Sequence, residues 1–454
     1  MNDDAPRSLG ELLAWLDRHI NLEAIERGVA GRSAEPTLTR IRALCAAMGQ
    51  PQANYPAVHV TGTNGKGSVT RLTTSLLRAQ GLVVGTIMSP HLETMNERIS
   101  RNLEPISDED LLENLAALQV LERFVAERDP ALLAPTWFEL VTAAAYRYFS
   151  DIAVDAAVVE VGLGGLWDAT NVIDADVAVV TNVDLDHVEI LGPTRAHIAR
   201  EKAGIIKQGA TAVIGETDPE IVEIIAGVAN DVGASSMWRR GVDFACARSE
   251  IAYGGRVLDL RTPGAEYNGL FIPLFGAHQG LNASVALAAA EAFFGSPLAE
   301  DVVTEAFAEA RVPGRLEVVG RKPLVVLDGA HNPAGAKVLG DSLREDFAAA
   351  GRVVVVMGCL RGRDPGELLD AMGAARIAHV VATAPSSPRA QPVEVVAAAV
   401  RAHGYDVSTH EDVDEAIRSA QDLASDEDLV LITGSLYVVG AARAFFRRLG
   451  SLRS

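Results

Sequence analysis

One glycine-rich turn constrains this chain more than any other stretch. It lies within residues 55–80, YPAVHVTGTNGKGSVTRLTTSLLRAQ, between an apolar run at 57–60 and a segment whose apolar residues recur at helical spacing. Strand, turn and helix N-terminus predict a phosphate cradle, because glycines let backbone N–H groups approach an anion and the helix end adds partial positive charge. Lys66 would then reach terminal phosphates, and the Ser68 hydroxyl would bind Mg²⁺.

The turn departs from the common P-loop pattern at two positions. Gly67 separates Lys66 from Ser68, and Val60 stands where the leading glycine is expected. The alternative is a glycine-rich strand-to-helix turn that binds no ligand. That alternative leaves a lysine and a serine together at the turn without an explanation, so we favour a nucleotide phosphate site.

Composition limits the partners and the compartment. With 454 residues, 48% hydrophobic and 22% charged, the chain is an ordinary globular protein of two or three domains. Its formal net charge of -20 argues against a nucleic-acid or anionic-membrane partner, since both favour basic surfaces. Three distant cysteines without metal-site spacing, no signal peptide and no membrane-length apolar run predict a cytoplasmic protein.

Alternating strand and helix patterns predict an α/β fold. Residues 8–49 are expected to be helical around a loop at 28–33, and residues 230–275 to form hairpins or an edge sheet. Pro313 and Gly314 indicate a domain joint at 312–315. We therefore predict a P-loop-containing, mostly parallel-sheet ATPase domain at 1–310 and a smaller, Rossmann-like α/β domain at 311–454. The expected strands are 57–60, 82–88, 153–161, 177–180, 209–214, 324–327, 353–357, 379–383 and 429–433, and the expected helices include 107–128, 135–149, 194–206 and 280–294.

Polar side chains follow several of the predicted strands. Ser68, Glu160 and His187 each come at or after a strand end, and their mixed oxygen and nitrogen donors suit Mg²⁺ or Mn²⁺ beside a nucleotide. Each residue by itself would more often be structural. Lys202 lies on a predicted helix, and because an ammonium group cannot ligate a cation, the residue alone indicates a surface charge or a phosphate contact.

Two further segments could contact a substrate. Ser89, Pro90 and His91 directly follow the strand at 82–88, where open α/β sheets bind ligands. Trp137 and Phe138 open a predicted helix and could stack on a flat heterocycle, although ordinary core packing is an equal alternative.

The chain resembles the folylpolyglutamate and dihydrofolate synthases of the Mur ligase superfamily. The segments that carry the resemblance occur in the family's order from Val58 to Tyr437, and they are HVTGTNGKGSV, SPHL with NERI, TWFE, EVGLGG with DATN, TNVDLDH, REKAGI, PGRLE, LDGAHNP and TGSLY. The resemblance implies an ATP-dependent amide ligase. ATP would phosphorylate a carboxylate of dihydropteroate or a reduced folate, and the amine of L-glutamate would attack the acyl phosphate. A monomer is expected.

The resemblance also implies roles for individual residues. Lys202 would be carbamylated by CO₂, which turns its cation into an oxygen ligand for one of two Mg²⁺ ions. The expected metal ligands are Ser68 and Glu160 for one ion and Glu160, His187 and Lys202 for the other. ATP is expected on Asn64, Gly65, Lys66, Gly67, Ser68, Asn282, Arg315 and Asp328. The pteroate or folate is expected on Ser89, Pro90, His91, Thr136, Phe138, Asp168 and Ala169. The expected catalytic residues are Lys66, Lys202, Asp328 and His331, with neither of the last two assigned as a general base.

One departure from the family pattern concerns the acceptor. Leu166 stands where the family usually has arginine in GGRLDATN, so a contact to a substrate carboxylate is lost or is supplied by a neighbouring Arg or Lys. Two other readings stay open. The chain could be a Mur-type ligase with a non-folate acceptor, or a nucleotide-gated binding protein without ligase activity.

Overall fold

The computed structural model describes residues 8–21, 37–373 and 376–450. Its first part runs α1 (Leu9–Leu16), α2 (Thr39–Ala47), β1 (Ala57–Thr61), α3 (Lys66–Ala79), β2 (Val84–Ile87), β3 (Ile99–Arg101), β4 (Glu104–Pro105), α4 (Asp108–Arg128), α5 (Trp137–Asp151), β5 (Ala156–Glu160), β6 (Val177–Val180), α6 (Val188–Leu191), α7 (Arg195–Ala203), β7 (Thr211–Ile214), α8 (Pro219–Val232) and β8 (Ser236–Arg239).

The remaining elements begin with an antiparallel three-stranded sheet, β9 to β11. They are β9 (Ala245–Ala252), β10 (Gly255–Arg261), β11 (Glu266–Ile272), α9 (Ala277–Phe294), α10 (Glu300–Ala308), β12 (Glu317–Arg321), β13 (Leu324–Leu327), α11 (Pro333–Glu345), β14 (Val353–Met357), α12 (Pro365–Ala371), β15 (Ile377–Ala382), α13 (Val393–Ala402), β16 (Val407–Thr409), α14 (Val413–Leu423), β17 (Leu429–Thr433) and α15 (Leu436–Arg448).

The first sheet brings the phosphate loop next to two other strand ends. Its order is β4-β3-β2-β5-β1-β6-β7-β8. Strands β2, β5, β1, β6, β7 and β8 are parallel to one another, and β3 is antiparallel to both β2 and β4. In the register of β1, Val60 pairs with Glu160 of β5 and Thr61 pairs with Val180 of β6. Parallel strands end at one edge, so the loops after β2, β5, β1 and β6 meet there.

Apolar layers cover both faces of this sheet, as the near-continuous apolar strands require. One layer contains α3, α9, α10 and the three-stranded sheet β11-β10-β9. On the other face α1, α2, α4 and α5 form one cluster, and α7 and α8 form another. The lead-in helices therefore pack on the core in the described part of the chain.

The second large sheet has the order β12-β13-β17-β14-β15-β16 and is parallel except for β12. Helices α11, α12 and α13 cover one face, and α14 and α15 cover the other. The predicted fold class, a mostly parallel sheet domain followed by a smaller Rossmann-like α/β unit, is confirmed. The division at residues 310 and 311 stays a prediction.

Several predicted boundaries are wrong. The strand expected from residue 153 begins at Ala156, because Ala153 has a left-handed backbone (φ 50°) and ends the turn after α5. The strand expected at 82–88 spans only Val84–Ile87, and the helix expected from Gly280 begins one turn earlier, at Ala277. The helix expected to reach residue 206 ends at Ala203. The loop expected at 28–33 lies outside the described residues.

Gly85 of β2 allows α5 to lie close against the sheet. An added Cβ would lie 2.6 Å from the ring of Phe149. We expect Gly85→Ala to destabilise the fold by about 1–3 kcal/mol through overpacking, seen as a lower midpoint in thermal or urea unfolding. Gly227→Ala is the control, because Gly227 lies in α8 with nothing within 4 Å of the added carbon. The control should stabilise by up to about 1 kcal/mol. Equal midpoints for the two variants would contradict the close approach.

Candidate active site

The phosphate loop is held in place by the strand end beside it. The backbone N–H of Thr63 donates to the carbonyl of Asn182 at 3.0 Å, and the N–H of Asn64 donates to Asn182 Oδ1 at 2.8 Å. Thr181 Oγ1 donates to the carbonyl of Asn64 at 2.7 Å. Gly65 then adopts a left-handed backbone (φ 82°), and α3 begins at Lys66. The sequence reasoning missed the role of Asn182, although its position directly after β6 was a usable signal.

Two lysines converge on one carbonyl oxygen of this loop. Lys66 Nζ donates to the Gly62 carbonyl at 3.0 Å, and Lys202 Nζ donates to the same oxygen at 2.8 Å. Lys202 is buried, so the expectation of a surface charge is wrong. Burial and the neighbouring Lys66 lower the pKa of Lys202 to about 7, and burial also lowers the pKa of Lys66, opposed by Glu160. Because Lys66 and Lys202 share one acceptor oxygen, a negatively charged group bound beside them would be stabilised.

Glu160 lies between the phosphate loop and the segment after β2. Its carboxylate oxygens lie 3.6 and 3.7 Å from an ideal Cβ on Gly67, and Oε2 accepts the N–H of Ser89 at 3.2 Å. Burial raises the pKa of Glu160 to about 7 although Lys66 opposes the change. A buried carboxylate beside the buried Ser68 fits a hard divalent cation, which would restore the ionised form.

His187 stands at the neighbouring strand end in a left-handed backbone (φ 51°) and begins α6. In the part of the chain that the structure describes, no three side chains of His, Cys, Asp or Glu form a metal cluster. The predicted set contains only two such side chains, Glu160 and His187, together with Ser68 and the modified Lys202. The assignment of all four as metal ligands stays a prediction.

A bridge that sequence reasoning missed spans the two large sheets beside His187. Asp186 Oδ1 accepts from Arg363 Nη2 at 2.9 Å, and Asp186 Oδ2 accepts from Asn332 Nδ2 at 3.3 Å. Burial alone would raise the pKa of Asp186, but His187 and Arg363 hold it well below its usual range. Asn332 Nδ2 also lies 3.4 Å from Asn64 Oδ1 in the phosphate loop. The strand ends of the two sheets therefore face each other across one cleft.

The second sheet contributes Asp328 and His331 to this cleft. Asp328 accepts the backbone N–H groups of Leu316 at 3.0 Å and Ala330 at 2.9 Å, and burial raises its pKa despite the nearby Arg315. His331 Nδ1 donates to the Gly329 carbonyl at 2.8 Å, which leaves Nε2 unprotonated in the neutral ring. Burial lowers the pKa of His331 to about 4, so the ring is neutral near pH 7.

Asn282 lies beside the phosphate loop, and Arg315 lies beside Gly329 of the second sheet. Asn282 Oδ1 is 2.7 Å from an ideal Cβ on Gly65, so the side chain packs against the phosphate loop, and its Nδ2 donates to Gln279 Oε1 at 3.0 Å. Gln279 Nε2 is buried without a hydrogen-bond partner among the described residues, and sequence reasoning missed it. Arg315 approaches Gly329, where an added Cβ would meet its guanidinium. The ATP roles of Asn282 and Arg315 stay predictions.

The segment after β2 lies beside Glu160, as its position in the sheet order requires. Ser89 donates its N–H to Glu160, and Pro90 follows in a cis peptide bond. His91 Nδ1 accepts from Arg98 Nε at 2.8 Å. We call Ser89, Pro90 and His91 the acceptor segment, and their contact with a folate stays a prediction.

The predicted pterin residues gather around Gly162, two positions after Glu160. The ring of Phe138 lies 2.8 Å and Asp168 Oδ2 lies 3.2 Å from an ideal Cβ on Gly162. Thr136 caps α5, accepting the N–H of Glu139 at 3.2 Å, and Ala169 is buried beside Asp168. Their contact with a pterin stays a prediction.

The two aromatic residues at the start of α5, Trp137 and Phe138, lie in different environments. Trp137 is buried with the Arg98 guanidinium 4.7 Å above its ring, so it belongs to the core and cannot stack on a substrate. Phe138 is half-buried and faces Gly162, so the stacking hypothesis remains only for Phe138. Leu166, at the position of the family's usual arginine, is 40% exposed, and its backbone N–H donates to the Glu201 carbonyl at 2.9 Å.

Comparison with known proteins gives the same picture over nearly the full length. Residues 140–290 match the family model "Mur ligase middle domain", and residues 314–436 match "Mur ligase, glutamate ligase domain". A dihydrofolate synthase/folylpolyglutamate synthase of Mycobacterium tuberculosis is 41% identical over 91% of each chain. A folylpolyglutamate synthase of Lacticaseibacillus casei is 36% identical over 89% of this chain and 93% of its own.

Solved structures agree with these relatives. M. tuberculosis folylpolyglutamate synthase complexed with ADP and AMPPCP superposes with a TM-score of 0.89 at 39% identity, covering 96% of this chain and 98% of its own. Escherichia coli FolC in complex with DHPP and ADP superposes with a TM-score of 0.84 at 30% identity, covering 98% and 99%. Among the described residues, no helix is long and apolar enough to cross a bilayer. The chain belongs to the folylpolyglutamate synthase/dihydrofolate synthase family of the Mur ligase superfamily.

Proposed function

We propose that this chain joins L-glutamate to the carboxylate of a reduced folate and to that of dihydropteroate. It is an ATP-dependent ligase that forms an amide bond. A carboxylate oxygen of the acceptor attacks the γ-phosphorus of ATP and ADP leaves, which gives an acyl phosphate. The amine of glutamate then attacks the acyl carbon, loses a proton, and phosphate leaves.

The meeting of three strand ends around Glu160 carries this proposal. The phosphate loop, the acceptor segment and the loop at Gly162 all approach that carboxylate, and Asn332 of the second sheet reaches Asn64 across the cleft. A nucleotide phosphate and an acceptor carboxylate can thus be held side by side, with the second sheet closing over them. Phosphoryl transfer depends mainly on such positioning and on neutralised charge.

The charges around Gly62 suit the transferred phosphoryl group. Lys66 and Lys202 both point at this carbonyl, and Lys66 would follow the terminal phosphates during transfer. Ser68 and Glu160 would hold one Mg²⁺ and Glu160, His187 and carbamylated Lys202 a second, which when bound supply charge neutralisation on the phosphate oxygens. The neutral His331 exposes an unprotonated Nε2 toward the same cleft, but its low pKa makes it a weak base at pH 7.

The compartment and assembly belong to the proposal too. Cys45, Cys246 and Cys359 are free thiols, and burial raises the pKa of Cys45 and of Cys359 to about 12, as expected of inert thiols in a reducing cytoplasm. We infer that the protein acts as a monomer.

Acceptor-stimulated ADP release tests the function directly. With Mg²⁺-ATP and L-glutamate, dihydropteroate and tetrahydrofolate should each raise ADP release above the rate without acceptor. Lys66→Ala should reduce all rates to background, because the cation at the γ-phosphate is lost. Stimulation by tetrahydrofolate alone would show that the chain does not use dihydropteroate as an acceptor. If neither acceptor raises ADP release, the chain is better explained as a non-folate ligase or as a nucleotide-gated binding protein without ligase activity.

The backbone at Gly65 should be required for nucleotide binding. Gly65→Ala and Gly209→Ala both place alanine at a left-handed position (φ 82° and 79°), costing about 1–2 kcal/mol of stability each. Only at Gly65 does the new carbon meet another group, Asn282 Oδ1 at 2.7 Å. We expect the dissociation constant for ADP, measured by calorimetry, to rise about tenfold or more in Gly65→Ala. Unchanged ADP affinity in Gly65→Ala, or an equal loss in Gly209→Ala, would contradict the loop geometry.

Carbamylation of Lys202 can be observed without an activity assay. A buried amine whose pKa is near 7 is partly neutral at pH 8 and able to react with CO₂. ¹³C-bicarbonate should therefore give a carbamate resonance that Lys202→Arg lacks, with activity lower on the order of 100-fold. Lys207→Arg is the control, because Lys207 Nζ donates to the Asn171 carbonyl at 3.1 Å and not to the Gly62 carbonyl that Lys66 and Lys202 share. A resonance that persists in Lys202→Arg would assign the modification elsewhere.

A further inference from the structure

The acceptor segment continues into a loop whose shape is fixed by one carboxylate. In this loop, residues 92–97, the backbone N–H groups of Leu92, Glu93 and Thr94 donate to Glu97 at 2.8, 3.0 and 2.9 Å. Three hydrogen bonds to a single side chain leave the backbone little freedom. We call residues 92–97 the Glu97 loop, and movement of this loop would displace His91 directly.

The Glu97 loop is bound to the last helix of the chain. Glu93 Oε1 accepts from Arg443 Nε at 3.0 Å and from Arg447 Nη2 at 2.8 Å, both on α15. The side chains of Glu93 and Arg443 are only 8% and 10% exposed. A pair this buried is costly to break, because separation leaves a desolvated charge without a partner.

Arg443 has a second partner that leads to the other side of the cleft. Its Nη1 donates to Glu317, and Glu317 Oε2 accepts the backbone N–H of Gly314 at 2.8 Å. Gly314 directly precedes Arg315, the predicted phosphate contact. A continuous chain of ion pairs and hydrogen bonds therefore runs from the Glu97 loop through Arg443 to the residue beside Arg315.

Close packing accompanies this chain of contacts. The Leu92 carbonyl oxygen lies 1.8 Å from an ideal Cβ on Gly440 of α15, and the Leu92 side chain lies 3.3 Å from one on Gly314. Leu92 also packs against the apolar cluster between α14, α15 and the second sheet. The Glu97 loop therefore contacts the second sheet's layer through Leu92, while Asn96 donates to the Ile106 carbonyl at 2.8 Å on the side of the first sheet.

A second buried arginine also forms ion pairs with two carboxylates of the second α/β unit, at a different place. Arg256 of β10 donates to Glu345 at 2.9 Å and to Asp346 at 2.8 Å at the end of α11. Arg256 is 1% exposed, so this contact also binds the second α/β unit firmly. This contact touches neither the acceptor segment nor the stretch around Arg315. A substitution at Arg256 should therefore weaken the packing of the second α/β unit without moving those two segments.

We propose that Arg443 is a positioning residue that couples the acceptor segment to the phosphate contact at Arg315. By holding Glu93 and Glu317 together, it fixes both segments in one arrangement of the two sheets. A bound acceptor that holds the Glu97 loop in place then also holds the backbone before Arg315. The proposal rests on the proposed function, since it takes the acceptor and nucleotide positions from there.

The expected consequence is cooperative binding. The acceptor should tighten the binding of a non-hydrolysable ATP analogue, and the analogue should tighten the acceptor by the same factor, since such coupling is reciprocal. In Arg443→Lys the charge remains, but one ammonium cannot span two carboxylates as a guanidinium does. We expect the coupling factor to fall to nearly 1 and the KM for acceptor to rise about tenfold, while analogue affinity without acceptor changes less than twofold.

Arg256→Lys is the matched control. It should lower the melting temperature as Arg443→Lys does, yet keep the wild-type coupling factor and KM for acceptor. Glu93→Gln removes the negative charge that Arg443 contacts, and it should reproduce the loss of coupling. If Arg443→Lys does not fold, Glu93→Gln tests the proposal in its place. Equal coupling in wild type and Glu93→Gln, or equal losses in Arg256→Lys and Arg443→Lys, would overturn the inference.

Failure of the two proposals can be told apart in the wild-type enzyme. If no acceptor raises ADP release, the proposed function fails. If acceptor raises ADP release but does not change analogue affinity, only the role of Arg443 fails.

Discussion

The Gly62 carbonyl accepts hydrogen bonds from two lysine amines whose charged forms repel each other. Lys66 and Lys202 approach this oxygen to 3.0 and 2.8 Å, and Lys202 is buried while Lys66 is half-buried. At low local polarity such repulsion is strong, and one backbone dipole cannot offset it. The arrangement is therefore most stable when negative charge enters, as phosphate, as a carbamate on Lys202, or as both. Much of the surrounding structure keeps these two cations in place.

The order of strands explains how so few elements build the site. β1 lies between β5 and β6, so the phosphate loop is flanked by Glu160 on one side and by Asn182 and His187 on the other. β2 lies on the far side of β5, which brings the acceptor segment to the same carboxylate. Because all four strands are parallel and adjacent, each side chain needs only its position at a strand end.

The sequence predicted the features that have a local signature. Apolar runs and turn residues locate most strands of both sheets, and the glycine-rich turn lies between β1 and α3 where the sequence predicts it. The Asp186–Arg363 and Glu93–Arg443 pairs join residues 177 and 350 positions apart, and nothing near either residue indicates its partner. Burial is equally hidden: Lys202 resembles a surface lysine on its helix, and Trp137 resembles Phe138 until the packing of α5 separates them. The short strands β3, β4 and β16 carry too few residues for a periodic signal.

The place of β1 in the sheet also affects how the protein can form. β1 is complete at Thr61, but both of its neighbours come from much later in the chain, β5 beginning at Ala156 and β6 ending at Val180. During synthesis at about 5–20 residues per second, the strand that carries the phosphate loop would wait roughly 5–20 s for its first partner. Pairings that distant in sequence form slowly. An apolar strand left unpaired for that time is open to aggregation, so the strand that leads into the predicted nucleotide site is exposed while the chain is being made.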